Sequence, residues 1–196
     1  MPRRIIEFYE PDRFSTGSLG EPGEGTFYLQ AVKGEHVASV ALEKEQVAIL
    51  ADRLLIVVDE LERRGLAAIE ATAAALDERP LDQPLLEEFQ VGTLTIAWDD
   101  DVDRLVVEAR SRTFDGAGES AAPEAADSVD DEDEIPDDAP IGPDVLRVRL
   151  TPFMAQQFAR RAGRVVAGVP LCPFCGEPLR PTGHHCPRRS GSEPVH

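Results

Sequence analysis

His36-Val37-Ala38-Ser39-Val40-Ala41-Leu42-Glu43-Lys44-Glu45-Gln46-Val47 is the stretch on which the fold turns. Its first seven residues suit a strand. From Glu43 the apolar residues recur at helical spacing instead, at Val47, Leu50, Leu54, Val57, Val58 and Leu61. Glu43 and Glu45 suit the positive end of a helix dipole, and Arg63, Arg64 and Gly65 supply an ending. A strand therefore feeds a helix directly. Upstream, Thr26 to Val32 forms a second strand, joined to the first through Lys33-Gly34-Glu35, a connection short enough for a hairpin and containing the glycine that hairpins favour. Ile5 to Tyr9 reads as a further strand, and Thr16 to Gly25, rich in Gly and Pro, as a loop.

The same grammar returns downstream. Val91 to Trp98 and Arg104 to Ala109 read as strands, and Val145 to Leu150 alternates apolar and basic residues as a half-buried strand does. Thr151-Pro152 then gives a helix N-cap with proline at the first helical position, and Phe153, Met154, Phe158, Ala162 and Val165 carry a helix to about Ala167. Each half thus runs strand, strand, strand, helix. The expected fold is α+β: an antiparallel sheet with two helices on one face, a duplicated βββα unit, and a small C-terminal module. The expected domains are residues 1–169 for the body, 170–189 for the module and 190–196 for a flexible tail.

Charge divides the chain more sharply than its total of −17 suggests. Residues 1–113 carry 12 basic and 23 acidic side chains, residues 114–140 carry 0 and 11, and residues 141–196 carry 8 and 3. The stretch from Phe114 to Pro140 has too few large apolar residues to offset the entropy of ordering, and it is expected to be a disordered acidic loop inside the body. Such a body repels a phosphate backbone, which disfavours nucleic acid except through the basic C-terminal part. The start lacks the long apolar core of a signal peptide, and no segment reaches the ~20 apolar residues of a membrane helix, so a cytoplasmic protein without membrane contact is expected.

All three cysteines fall in Leu171-Cys172-Pro173-Phe174-Cys175-Gly176-Glu177-Pro178-Leu179-Arg180-Pro181-Thr182-Gly183-His184-His185-Cys186-Pro187. A Cys-x-x-Cys pair offers two thiolates from one tight turn, and Gly176 suits that turn. An odd number of cysteines in a reducing compartment favours a metal over a disulfide or a redox pair. The expected zinc ligands are Cys172, Cys175, Cys186 and one histidine. His184 is preferred because it lies two residues from Cys186, so both side chains converge if the segment is extended, whereas adjacent His185 points away. Four protein ligands make a closed, structural site with no position for a reacting water.

Several stretches together carry a family resemblance: Ile6-Glu7-Phe8, Gly17 to Gly23 leading into Phe27-Tyr28-Leu29-Gln30-Ala31, Val40 to Val47, and the closing Cys-Pro-Phe-Cys-Gly and Gly183-His184-His185-Cys186-Pro187-Arg188. Over nearly its whole length the chain resembles the actinobacterial domain of unknown function 3090 family. That family's usual Gly-His-x-Cys close implies His184 as the ligand. Its usual Asn-Gly is replaced here by Ser190-Gly191, outside the ligands. No activity is assigned to the family. Its members accompany a histidine-phosphatase-like protein and a distant kinase-like protein, which implies a partner in a three-protein system.

The remaining constellations are weaker. The glycine-rich stretch lacks the Gly-Lys-Ser/Thr of a phosphate loop and the dinucleotide glycine spacing. Asp99, Asp101 and Asp103 imitate the start of a calcium loop, but Arg104 holds its glycine position, so a solvated hairpin turn is expected. His36 is a lone strand histidine. Arg160, Arg161 and Arg164 are expected to share a basic face of the second helix. Two functions stand: a non-enzymatic zinc-containing interaction or regulatory protein with a protein partner, or an enzyme or phosphate-binding protein using residues 16–26 with Arg13 and Lys44.

Overall fold

The computed structural model describes residues 3–19, 25–67, 77, 79–112 and 141–168. The elements run β1 (Ile5–Tyr9), β2 (Arg13–Leu19), β3 (Thr26–Lys33), β4 (His36–Leu42), α1 (Lys44–Arg63), β5 (Glu87–Asp99), β6 (Arg104–Ser111), β7 (Val145–Leu150) and α2 (Pro152–Val166). The class is α+β, as expected. The expected acidic loop 114–140 and the module 170–189 lie outside the described residues.

The strands form one sheet in the order β1-β7-β6-β5-β4-β3-β2. It is mixed rather than antiparallel, because β1 pairs with β7 and β4 with β5 in parallel. A second correction concerns the glycine-rich stretch: Thr16 to Leu19 belong to strand β2, which pairs with β3 along its whole length.

β1 and β2 lie at opposite ends of the strand order, yet only Glu10, Pro11 and Asp12 separate them. Seven strands laid flat at ~4.8 Å spacing would hold those ends roughly 29 Å apart. Four Cα steps reach at most ~15 Å. The sheet must therefore curl until its ends approach, and side-chain contacts record it: Arg4 before β1 pairs with Glu88 of β5 at 2.8 Å, and Lys33 of β3 donates to the carbonyl of Tyr9. Glu10 takes φ 48° where the chain changes direction, the left-handed region that a non-glycine residue adopts only under constraint. Its amide donates to Arg149 O at 3.0 Å and its carboxylate pairs with Arg104.

The inside of the curl holds the core. Phe8, Phe14, Leu29, Val40, Val107 and Val148 from the strands meet Leu50, Leu54 and Val58 of α1 and Ala155, Phe158 and Ala162 of α2. Each large aliphatic residue buried there contributes roughly 1.5–3 kcal/mol before entropy is counted. Phe14 and Phe158 stack with centroids 4.7 Å apart. The helix ends follow their sequence signals: Gln46 accepts from the Glu43 amide at 2.9 Å, Thr151 accepts from the Met154 amide at 3.2 Å, and Gly65 closes α1 at φ 71°.

The two halves repeat one topology. From Val37 to Val58 the chain aligns with Val145 to Val166 at a constant offset of 108, with identities at Val37/Val145, Val40/Val148, Leu42/Leu150, Ala51/Ala159, Arg53/Arg161, Val57/Val165 and Val58/Val166. Leu42 and Leu150 pair with Phe27 and Leu105, and these pair with Ser18 and Trp98. β2 therefore matches the second part of β5 at an offset of 80. Glu7 faces Arg147 as Glu87 faces Ser39, again at an offset of 80. So β1 and β2 together do what β5 does alone, pairing parallel on one side and then antiparallel on the other. The register shift of β5 between Val91 and Thr93 falls where β1 breaks into β2. The repeated unit thus begins with the β1–β2 pair, not with β1 alone.

Candidate functional site

Two buried arginines meet over one short segment. Arg13 of β2 is 6% exposed and Arg161 of α2 is 5% exposed. Arg13 donates to Asp77 Oδ2 at 2.5 Å, Asp82 Oδ2 at 3.2 Å, Pro80 O at 2.9 Å and Arg79 O at 2.6 Å. Arg161 donates to Thr16 O at 2.6 Å, Arg79 O at 2.8 Å and Asp77 O at 2.5 Å. The planar guanidinium fork suits such divergent carbonyl acceptors, and a lysine could not reach them all. Asp77 and residues 79–82 are thereby strapped over β2 and β3. Gln30 completes the strap: its Oε1 accepts from the Asp82 amide at 2.8 Å, and its Nε2 donates to Asp82 O at 3.1 Å and Ser39 Oγ at 3.0 Å.

The electrostatics follow from this geometry. Burial pushes the Asp77 carboxyl up, but hydrogen bonds from Arg79 and Arg13 outweigh that and hold it well below the usual carboxylate range. Asp77 in turn raises the Arg79 guanidinium. On the same face of the sheet as the strap, in the other half, a ladder of alternating charge runs Glu7, Arg147, Glu108, Arg110, with Arg147 to Glu108 at 2.5 Å and Arg147 to Glu7 at 3.1 Å.

A groove of about 360 Å³ opens where the curled sheet brings β1 against β4. Ile6, Phe8, Val37 and Ala38 are among its apolar lining, with Arg4, Lys33, His36, Glu7 and Glu88 among its charged and polar groups. Arg4 and Lys33 are already engaged with Glu88 and Tyr9 O.

The expected zinc ligands Cys172, Cys175, His184 and Cys186, and the alternative His185, lie outside the described residues. Arg13 and Lys44 are not brought together. Arg13 aligns across the meander with Val32 and Val37, whereas Lys44 follows Leu42, which aligns with Phe27. Five residues of strand separate those ends, roughly 17 Å. Asp99 and Asp103 flank a tight β5–β6 turn, as expected, with the Asp101 amide donating to Asp99 Oδ1 at 3.2 Å. The basic face expected on α2 loses its middle: Arg160 and Arg164 are exposed, but Arg161 turns inward.

A family model described as protein of unknown function (DUF3090) matches residues 6–186. The chain belongs to this family. No curated protein and no solved structure matches it. The DUF3090 match takes in β1 from its second residue, every later strand and both helices, and runs on to Cys186. The arginine strap was illegible in the sequence because Arg13, Arg161 and Asp77 are far apart in the chain; the one local hint was the Arg53/Arg161 identity between the two helices.

Proposed function

We propose that this DUF3090 protein is a zinc-containing interaction or regulatory protein without a reaction of its own, acting with a protein partner. The observation that supports it over phosphate binding is where Arg13 goes. Arg13, one of the two cations that with residues 16–26 would have gripped an anion, is closed in by two carboxylates and two carbonyls, and Gly17 lies within a paired strand with Leu81 against it. Three thiolates and one imidazole within residues 172–186 are a donor set suited to zinc, and Cys172, Cys175, Cys186 and His184 would hold it. Zinc there supplies folding energy to the module, as in other small metal-nucleated units. The resemblance implies phosphatase-like and kinase-like proteins as the partners to try first. The repetition between the halves is consistent with a duplicated unit.

Two measurements test this reading. Elemental analysis of the purified chain is expected to give about one zinc per molecule, lost on Cys172→Ser or Cys175→Ser, with His184→Ala costing more metal than His185→Ala. Metal-free protein with an equally folded C-terminal segment would sink the zinc part. Capture from native extract is expected to recover a defined phosphatase-like or kinase-like protein. A dose-dependent thermal shift with nucleotides, sugars or phosphorylated metabolites, and no captured protein, would instead favour the ligand-binding reading.

A further inference from the structure

The repeat makes the halves comparable residue by residue, and they differ in cover. On β2, Arg13, Ser15 and Gly17 are all buried. Asp77 and residues 79–82 bond to Arg13, place Leu81 against Gly17 and reach Arg161 on α2. Their counterparts on β5, Thr93, Thr95 and Ala97, are all exposed. Arg53, the counterpart of Arg161, is exposed too.

The uncovered side is also apolar along α1. Ile49 is 57% exposed and Ile56 61% exposed. They stand four residues before and three residues after Arg53, which makes them its neighbours on the helix surface. Their counterparts on α2 are Gln157 and Arg164, so the apolar stripe belongs only to the half that no described segment covers.

The cover over β2 is the chain that has just left α1: the helix ends at Arg63, and Asp77 to Asp82 follow 14 to 19 residues later. The chain that leaves α2 stands in the same relation to β5 and α1. It runs 30 residues beyond Val166, to His196, which is more than the same path requires. Val169, Leu171, Phe174 and Leu179 give it apolar surface to set against Ile49 and Ile56.

We propose that the segment following Gly168 folds back over the outer face of α1 and β5, taking there the place that Asp77 and residues 79–82 take over β2 and α2. The Cys172 to Cys186 cluster is then held against the body beside Arg53 and not displayed on a tether. The inference does not depend on the metal, so it stands or falls apart from the zinc reading.

Hydroxyl-radical footprinting of the purified full chain tests it. With rates normalised to intrinsic reactivity, Ile49 and Ile56 are expected to oxidise several-fold more slowly than Leu86 and Ile141, which are 69% and 73% exposed. Equal rates would overturn the proposal. Protection that fades on dilution would assign the face to a second copy of the chain and would overturn it equally. In a second measurement, Ile56→Asp in the full chain is expected to speed hydrogen exchange in residues 176–183 while leaving β6 and β7 unchanged. Identical exchange in both proteins would also overturn it.

Discussion

Gly17 shows how much one missing side chain decides. A Cβ built there would lie 3.0 Å from Leu81 Cγ and 3.2 Å from Leu81 Cδ1, inside ordinary contact distance, and Leu81 is only 7% exposed. Gly17→Ala is therefore expected to destabilise by about 1–3 kcal/mol through overpacking. In a Leu81→Ala background the clash partner is gone, so the same substitution should cost little, and a urea-denaturation cycle measures the difference. Equal costs in both backgrounds would mean that Leu81 does not press on β2. Asp77 makes the strap sensitive to acid. Its carboxyl is held below its unfolded value of about 3.9, so its contribution is present above that pH and is lost as pH falls toward the folded value. The urea midpoint should therefore drop as pH is lowered below about 4, with a shallower drop in Asp77→Asn. Parallel curves for the two proteins would count against the ion pairs with Arg13 and Arg79.

Among the elements, β7 is the one that joins the chain's first strand to its second half. It pairs with β6 on one side and β1 on the other, and α1 packs on α2. A single cut within residues 114–140 therefore leaves the two pieces tied by two strand ladders and a helix pair. They are expected to co-elute under native conditions after limited proteolysis. Separation of the pieces would show that the ladders to β7 do not hold the sheet together. Both helices and six of the strands were legible because their apolar residues recur at helical spacing or gather in short runs bounded by turn residues, although β7 and most of β4 prove to be buried on both faces. β2 was not. Its core-facing positions include Phe14, but its other face carries Arg13, Ser15 and Gly17 under the strap, so no contrast between apolar and polar marks it. The parallel pairings were hidden for another reason. β4 with β5 and β1 with β7 join strands distant in sequence, and no local turn signals them. The proposed zinc ligands announce themselves by residue type alone, whereas the arginine strap depends on tertiary contact.

For the molecule as a whole, the interlocking of halves predicts one cooperative transition. The β1–β2 pair of the first half contributes a strand to each end of the sheet order, and one continuous core spans both helices. Calorimetry and near-ultraviolet circular dichroism are expected to report the same melting temperature for the body. Two resolved transitions within the body would show that the halves melt independently. The three-residue link between β1 and β2 has a consequence for how anything can attach to the sheet. Its two terminal strands are only five and seven residues long, and the second of them is overlain by the strap. Among the described residues, an extended peptide seeking to lengthen the sheet finds only these two short strands at its ends, and so does a neighbouring copy of the chain under thermal stress. Among the described residues, the connectivity itself thus limits edge-to-edge association at the two terminal strands.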